Sequence, residues 1–363
     1  MYVFWLAAFC IVTTILSCKK VLPDVSGINS ESAKSDISTS RVKLKPNYVY
    51  TLVGNPDNFN QNDGVGDKAG FTGLSQLVAD DGYLYALDQY IIRKIKISDR
   101  TVTTLAGNPL GGDSKDGLKG DATFSIPTSI ALGPDGNIYV AEFLKVRKVT
   151  KQGLVTTVAG STWGYQNGAA KTAKFRRLTS ITVCEDGTIY VIDDQGQGGS
   201  SEFKIRKISP SGIVGTLASG PAAMPSSSWD IGSLSDLNGT LYAAGKGIFK
   251  ISSKGAVATV KKDIRVFSNS LLALKGGGFC ISSNNQIKKV SKTGNVSVFA
   301  GIPVTDRFGR PTEGPADKVD LHTPSGFTLY NNVLYMAVHP EFYGDPSFPQ
   351  QFGHVIQMIV VPK

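Results

Sequence analysis

Cysteine and histidine are scarce in this chain, with four and three copies among 363 residues. Cys10 and Cys18 lie at the amino end, which leaves Cys184 and Cys280 far apart, and no two cysteines have the spacing of a structural zinc site. That argues against a disulfide framework and against a cysteine metal centre; Cys184 and Cys280 read as small buried hydrophobes. The histidines, His322, His339 and His354, all fall toward the carboxyl end, which disfavours a metal ringed by histidines from several parts of the fold. Charged residues make up only 18%, and no Walker loop, dinucleotide fingerprint or Ser-His-Asp arrangement stands out. The stretch GQGGSS at 196–201 lacks the following helix that a phosphate cradle needs. What the chain has instead is 40 glycines and 17 prolines beside 41% hydrophobic residues, a composition rich in turns yet able to bury a large core.

The first 17 residues, MYVFWLAAFCIVTTILS, carry no charge and run straight into Cys18, Lys19 and Lys20. A stretch of this length is expected to be a secretory signal. Its end, Ile15-Leu16-Ser17-Cys18, resembles the bacterial lipobox, in which a small residue precedes the cysteine that takes the lipid. No Lys or Arg precedes the apolar run, a departure from that pattern, and the alternative is an uncleaved membrane anchor. The expectation is a signal peptide over 1–17 and lipidation at Cys18. Residues 18–45 follow as a flexible tether, polar and without hydrophobic periodicity. This puts the protein outside the cytoplasm, lipid-anchored to the bacterial cell envelope, on the outer membrane and facing the periplasm or the surface.

From Tyr48 onward one pattern recurs. Its clearest mark is an aromatic residue in LYALD, IYVAE, IYVID, LYAAG, FCISS and LYMAV, at Tyr85, Tyr139, Tyr190, Tyr242, Phe279 and Tyr335. The third copy reads LTSITV, turn, IYVID, FKIRKIS, turn, IVGTLAS, or four short strands A to D with Asp-Gly hairpin chemistry between A and B. An extra D-type strand, YVYTLVG at 48–54, precedes the first full copy, while the last copy stops after HVIQMIV at 354–360. The fold class expected is all-β: a six-bladed propeller of four-stranded antiparallel blades over 46–363, its N-terminal strand completing the last blade. Sharing a blade between the termini hides both raw sheet edges.

Residues 124–160, FSIPTSIALGPDGNIYVAEFLKVRKVTKQGLVTTVAG, resemble the NHL repeat, and the resemblance extends more loosely over 48–362. It implies the propeller fold but leaves function open, because NHL propellers include lyases, lactonase-like relatives, RNA-binding modules and bacterial surface proteins. The meander places D-to-A and B-to-C connections on one face, and that face is expected to carry every long insertion: 55–70, 108–123, 161–174, 195–202, 302–320 and 341–353. Rim aromatics Trp163, Tyr165, Phe308, Phe342, Tyr343 and Phe348 are candidate stacking platforms for a glycan or peptide. Trp229 aligns with Phe71, Phe124 and Phe175 and is expected in the core. Short connections in blades 4 and 5 open a notch lined by Lys246, Lys261, Lys262 and Arg265, a candidate approach for an anionic ligand.

Asp88, Glu142 and Asp193 end B strands, and Arg93, Arg147 and Arg206 follow in the C strands. The resemblance implies that these pairs brace their blades. The alternative is an acidic cluster near the axis, where Asp88, Glu142 and Asp193 would serve as oxygen ligands for calcium in a lactonase-like, hydrolase-like or lyase-like enzyme. The loops NQNDGVGDKAGF and GGDSKDGLKGDATF lack EF-hand offsets and read as turn chemistry. A net charge of +9 permits nucleic acid, but export places the chain away from it. The leading expectation is an envelope binding module without a cofactor, with a glycan, peptide or protein as partner and the membrane reached only through its lipid.

Overall fold

The computed structural model describes residues 44–195, 203–219, 232–266, 270–303, 311–339 and 353–362. Six antiparallel sheets make six blades. In blade 1 strand A is Leu74–Asp80, B is Tyr83–Asp88, C is Ile91–Lys96 and D is Thr101–Gly107, each paired with the next. The hairpin between A and B turns on Asp81 and Gly82, both at positive φ (48° and 75°), the primed-turn geometry that matches strand twist and that Asp and Gly tolerate. Asn238-Gly239 and Asn331-Asn332 repeat it in blades 4 and 6.

The ring closes as the sequence predicts. Strands A, B and C of blade 6 are Thr323–Tyr330, Val333–His339 and Val355–Val360, and its D strand is Tyr48–Val53, with Val49 opposite Ile359 and Tyr50 opposite Met358. Val49, Leu52 and Val53 are 0–2% exposed. Leu52 and Val53 pack with Phe71, Leu77 and Leu84 of blade 1 and with Tyr335 and Met358 of blade 6, so closure rests on one shared apolar cluster. Burying each of these side chains stabilises by about 1.5–3 kcal/mol.

The A strands stand closest to the axis and touch in sequence around the ring. Between blades 6 and 1 the approach is so close that a Cβ on Gly326 would lie 2.3 Å from Gln76 Cα. Side chains tie neighbouring A strands elsewhere: Gln76 Oε1 accepts from Ile130 N–H at 2.6 Å, Ser129 Oγ from Ile181 N–H at 3.2 Å, Ser180 Oγ from Leu234 N–H at 3.0 Å and Ser233 Oγ from Ser270 N–H at 3.0 Å.

Two expectations are corrected. In blade 5 it is Cys280, not Phe279, that pairs with Lys289 as Tyr85 pairs with Lys94 and Tyr139 with Lys148. Phe279 instead turns its edge onto Tyr242 of blade 4, 4.9 Å between ring centroids. The D-to-A insertions, moreover, do not stay on one face. Gly64–Val65, Gly117–Leu118, Gly168–Ala169 and Gly314–Pro315 form two-residue strands on the outer edge of the D strand of blades 1, 2, 3 and 6. Each connection therefore runs down the outer wall to the far turn, where Lys119 N–H reaches Gly153 O at 2.8 Å and Ala170 N–H reaches Gly212 O at 2.8 Å. An outer strand otherwise leaves a row of backbone donors and acceptors unpaired, and the descending loop satisfies part of it. Cys184 and Cys280 are buried and form no disulfide.

Candidate functional site

Buried ion pairs hold these descending loops. Arg93, Arg147 and Arg206 are 0% exposed and pair with Asp88 (3.1 Å), Glu142 (2.7 Å) and Asp193 (2.7 Å). The other nitrogen of each guanidinium grips the insertion: Asp63 and Asn62 O for Arg93, Asp116 for Arg147, Asn167 and Gln166 O for Arg206. Phe71, Phe124 and Phe175 lie beneath the three guanidiniums at 5.1, 5.4 and 4.9 Å. Each carboxylate also takes backbone N–H groups, those of Thr72 and Gly73 on Asp88, of Ser125 on Glu142, and of Arg176 and Arg177 on Asp193. Burial outweighs these partners at Asp193 and holds its carboxyl above the ordinary carboxylate range.

This arrangement does not suit calcium. Asp88, Glu142 and Asp193 sit in three separate blades with their oxygens already committed, and among the described residues no three His, Cys, Asp or Glu side chains converge as metal ligands. In blades 4 to 6 the register puts Gly245, Ser283 and Val338 in the place of the acid and Phe249, Lys288 and Gln357 in the place of the arginine.

The axis itself is neutral and largely apolar. A cavity of about 190 Å³ is lined by the lower halves of the A strands, including Leu77, Ile130, Ile181, Leu234, Leu271 and Phe327. Its polar fringe includes Gln76, Ser235, Asp236, Lys275, Thr328 and Asn331. Sequence reading missed this fringe and the Gln76/Ser129/Ser180/Ser233 belt, although the offset of TSI in the A strands of blades 2 and 3 signals the belt.

Two aromatic groups of the 161–174 insertion are exposed and positioned. Trp163 is 50% exposed with the Arg176 guanidinium 5.2 Å from its ring, and Arg176 in turn donates to Gln195 O at 3.0 Å. Tyr165 is 42% exposed, lies 4.7 Å from the Arg206 guanidinium and 5.3 Å from the Lys204 ammonium, and its hydroxyl meets Thr216 Oγ1 at 2.6 Å. Phe308, Phe342, Tyr343, Phe348 and Trp229 lie outside the described residues, as do residues 1–17 and Cys18. The basic group assembles at one corner of blade 4: Gly247 pairs with Lys262, Ile248 with Lys261, and Val266 N–H donates to Gly245 O at 2.8 Å. Lys246, Lys262 and Arg265 are exposed there and Lys261 is half-buried.

These features define a six-bladed β-propeller with a neutral axis and its exposed aromatic and basic groups on the periphery. No family model matches the chain. A segment is 31% identical over 140 residues to Teneurin-4 of Homo sapiens, covering 31% of this chain and 5% of that protein, so the chain spans a small fraction of the curated relative it matches. An auxiliary nutrient binding protein from Bacteroides thetaiotaomicron superposes with a TM-score of 0.60 at 12% identity, over 86% of this chain and 76% of that one. A gluconolactonase from Xanthomonas campestris superposes with a TM-score of 0.54 at 12% identity, over 86% of this chain and 89% of that one. At these identities the likeness concerns the fold. Among the described residues no helix is long and apolar enough to cross a membrane.

Proposed function

We propose that this chain is an exported NHL-type propeller, anchored in the cell envelope through lipid on Cys18, that binds a glycan, peptide or protein on its periphery. The observation that carries the reading is the pair Trp163 and Tyr165: two half-exposed rings whose orientations are set by Arg176, Lys204, Arg206 and Thr216 before any ligand arrives. Aromatic faces held this way present contact area at little conformational cost. Lys246, Lys261, Lys262 and Arg265 supply a second patch suited to an anionic group, and Phe308, Phe342 and Tyr343 are kept as further candidate contacts. The structural likeness to a nutrient binding protein supports a binding role. The commitment of Asp88, Glu142 and Asp193 to arginines weighs against the calcium-dependent lactonase, hydrolase or lyase reading. This reading assigns the chain no cofactor and no nucleic-acid partner.

Titration of the full chain, in detergent, against a glycan and peptide panel tests this. The expected result is saturable binding that Trp163→Ala and Tyr165→Ala each weaken at least tenfold, with no lactone turnover on adding calcium. Turnover of a lactone, or binding indifferent to both substitutions, contradicts the proposal.

A further inference from the structure

Among the described residues blade 5 lacks the outermost strand that covers blades 1, 2, 3 and 6. In blades 1, 2, 3 and 6 the descending insertion lays a Gly-x pair on the D strand, and the residue before that glycine, Asp63, Asp116, Asn167 or Glu313, bonds to one D-strand threonine. The threonine donates in each case: Thr104 Oγ1–H to Asp63 (2.9 Å), Thr157 N–H to Asp116 (3.0 Å), Thr216 Oγ1–H to Asn167 (3.3 Å) and Thr51 N–H to Glu313 (2.7 Å). The first valine of each covered D strand, Val102, Val155, Val214 or Val49, is 0–1% exposed.

In blade 5 the register puts Val296 in the valine's place and Val298 in the threonine's. They are 42% and 53% exposed, and no strand pairs with the outer edge of Val296–Ala300 among the described residues. The cause is chain length. Eight residues, 263–270, join the D strand of blade 4 to the A strand of blade 5, against twenty, 54–73, before blade 1. Eight residues reach at most about 27 Å, whereas descending a five-residue strand and climbing back needs about 33 Å. The covering segment cannot come from this loop.

We infer that this bare edge, Val296–Ala300, is a docking slot for an extended peptide of another protein that carries a carboxylate followed by glycine and an apolar residue. The other blades show the occupant's form. Charge selects its source: residues 286–300, QIKKVSKTGNVSVFA, contain three lysines and no acid, and Lys288 stands where Arg93, Arg147 and Arg206 meet a carboxylate. A second copy laying its own VSVFA edge here would bring no carboxylate to Lys288, whereas an acidic strand supplies one. The backbone supplies affinity and the lysine the choice of partner.

The test uses the full chain and a fluorescent peptide with the sequence of residues 112–124, GDSKDGLKGDATF. Anisotropy is expected to report saturable binding that falls with added salt. Replacing the peptide's aspartate before glycine by lysine, or Lys288→Glu in the chain, is expected to weaken it at least tenfold. Val298→Pro removes the outward N–H without adding charge and is expected to abolish binding while the melting temperature stays within a few degrees. Absence of binding at millimolar peptide, or binding unmoved by Lys288→Glu and Val298→Pro, overturns the inference. So does a concentration-dependent dimer that Val298→Pro dissolves, since the slot would then take a second copy.

Discussion

Arg147 illustrates what single residues do in this fold. Its guanidinium is fully buried and binds Glu142, Asp116 and Ser114 Oγ at 2.7–2.8 Å, so one side chain ties strand C, strand B and the descending insertion together. Arg147→Ala leaves Glu142 buried and uncompensated, and urea unfolding is expected to show a loss of about 3–5 kcal/mol. The exposed pair Lys96–Asp99, 2.7 Å apart, makes the contrast: Lys96→Ala is expected to leave the urea midpoint unchanged. The acid and the arginine were legible in sequence because both recur at fixed places in their strands. Their loop partners Asp63, Asp116 and Asn167 were not, because the pairing depends on a loop descending the wall. His354 supplies a pH test. Burial pushes its imidazole down to about 4, and its Nδ1 accepts from Leu74 N–H at 3.2 Å. The unfolded chain binds the proton first, so the contribution is complete above pH 6.5 and is lost as pH falls toward 4, up to about 3 kcal/mol. Thermal melts between pH 7 and 4 are expected to flatten in His354→Asn, which keeps an acceptor but does not titrate; an unchanged slope contradicts this.

At the scale of strands and loops, periodicity carries most of the information and fails where two residue types exchange roles. Phe279 is the aromatic in FCISS, yet register assigns the shared position to Cys280, whose thiol burial pushes up to about 11. A meander predicts which face a connection starts from; where the connection then travels depends on an outer edge that needs covering, which no local pattern in the sequence states. Gly326 marks a close contact between the A strands of blades 6 and 1. Its φ is 35°, and a Cβ there would meet Gln76 Cα and the Ser75 carbonyl at 2.3 and 2.6 Å. Gly326→Ala is expected to force blades 6 and 1 apart and cost about 1–3 kcal/mol in chemical denaturation; a neutral result means the blades are not held as closely as described.

For the whole molecule, the count of six and the pairing of the two ends followed from one surplus D-type strand at 48–54 and one missing at the carboxyl end. Stability and binding both depend on that closure. The axial belt and the blade contacts hold only if the ring is complete, and the exposed rings of Trp163 and Tyr165 are fixed by blade 3, whose neighbours the ring holds in place. Buried arginines brace blades 1 to 3, while blades 4 to 6 carry Phe249, Lys288 and Gln357 at the same position, so the second half of the ring relies more on closure. Hydrogen exchange of the amides in Tyr48–Val53 tests closure most directly. These amides are expected to be protected as strongly as those of Val355–Val360, and Val49→Asp is expected to deprotect both strands together; exchange of Tyr48–Val53 at the rate of a frayed chain end, with Val355–Val360 unaffected, contradicts closure.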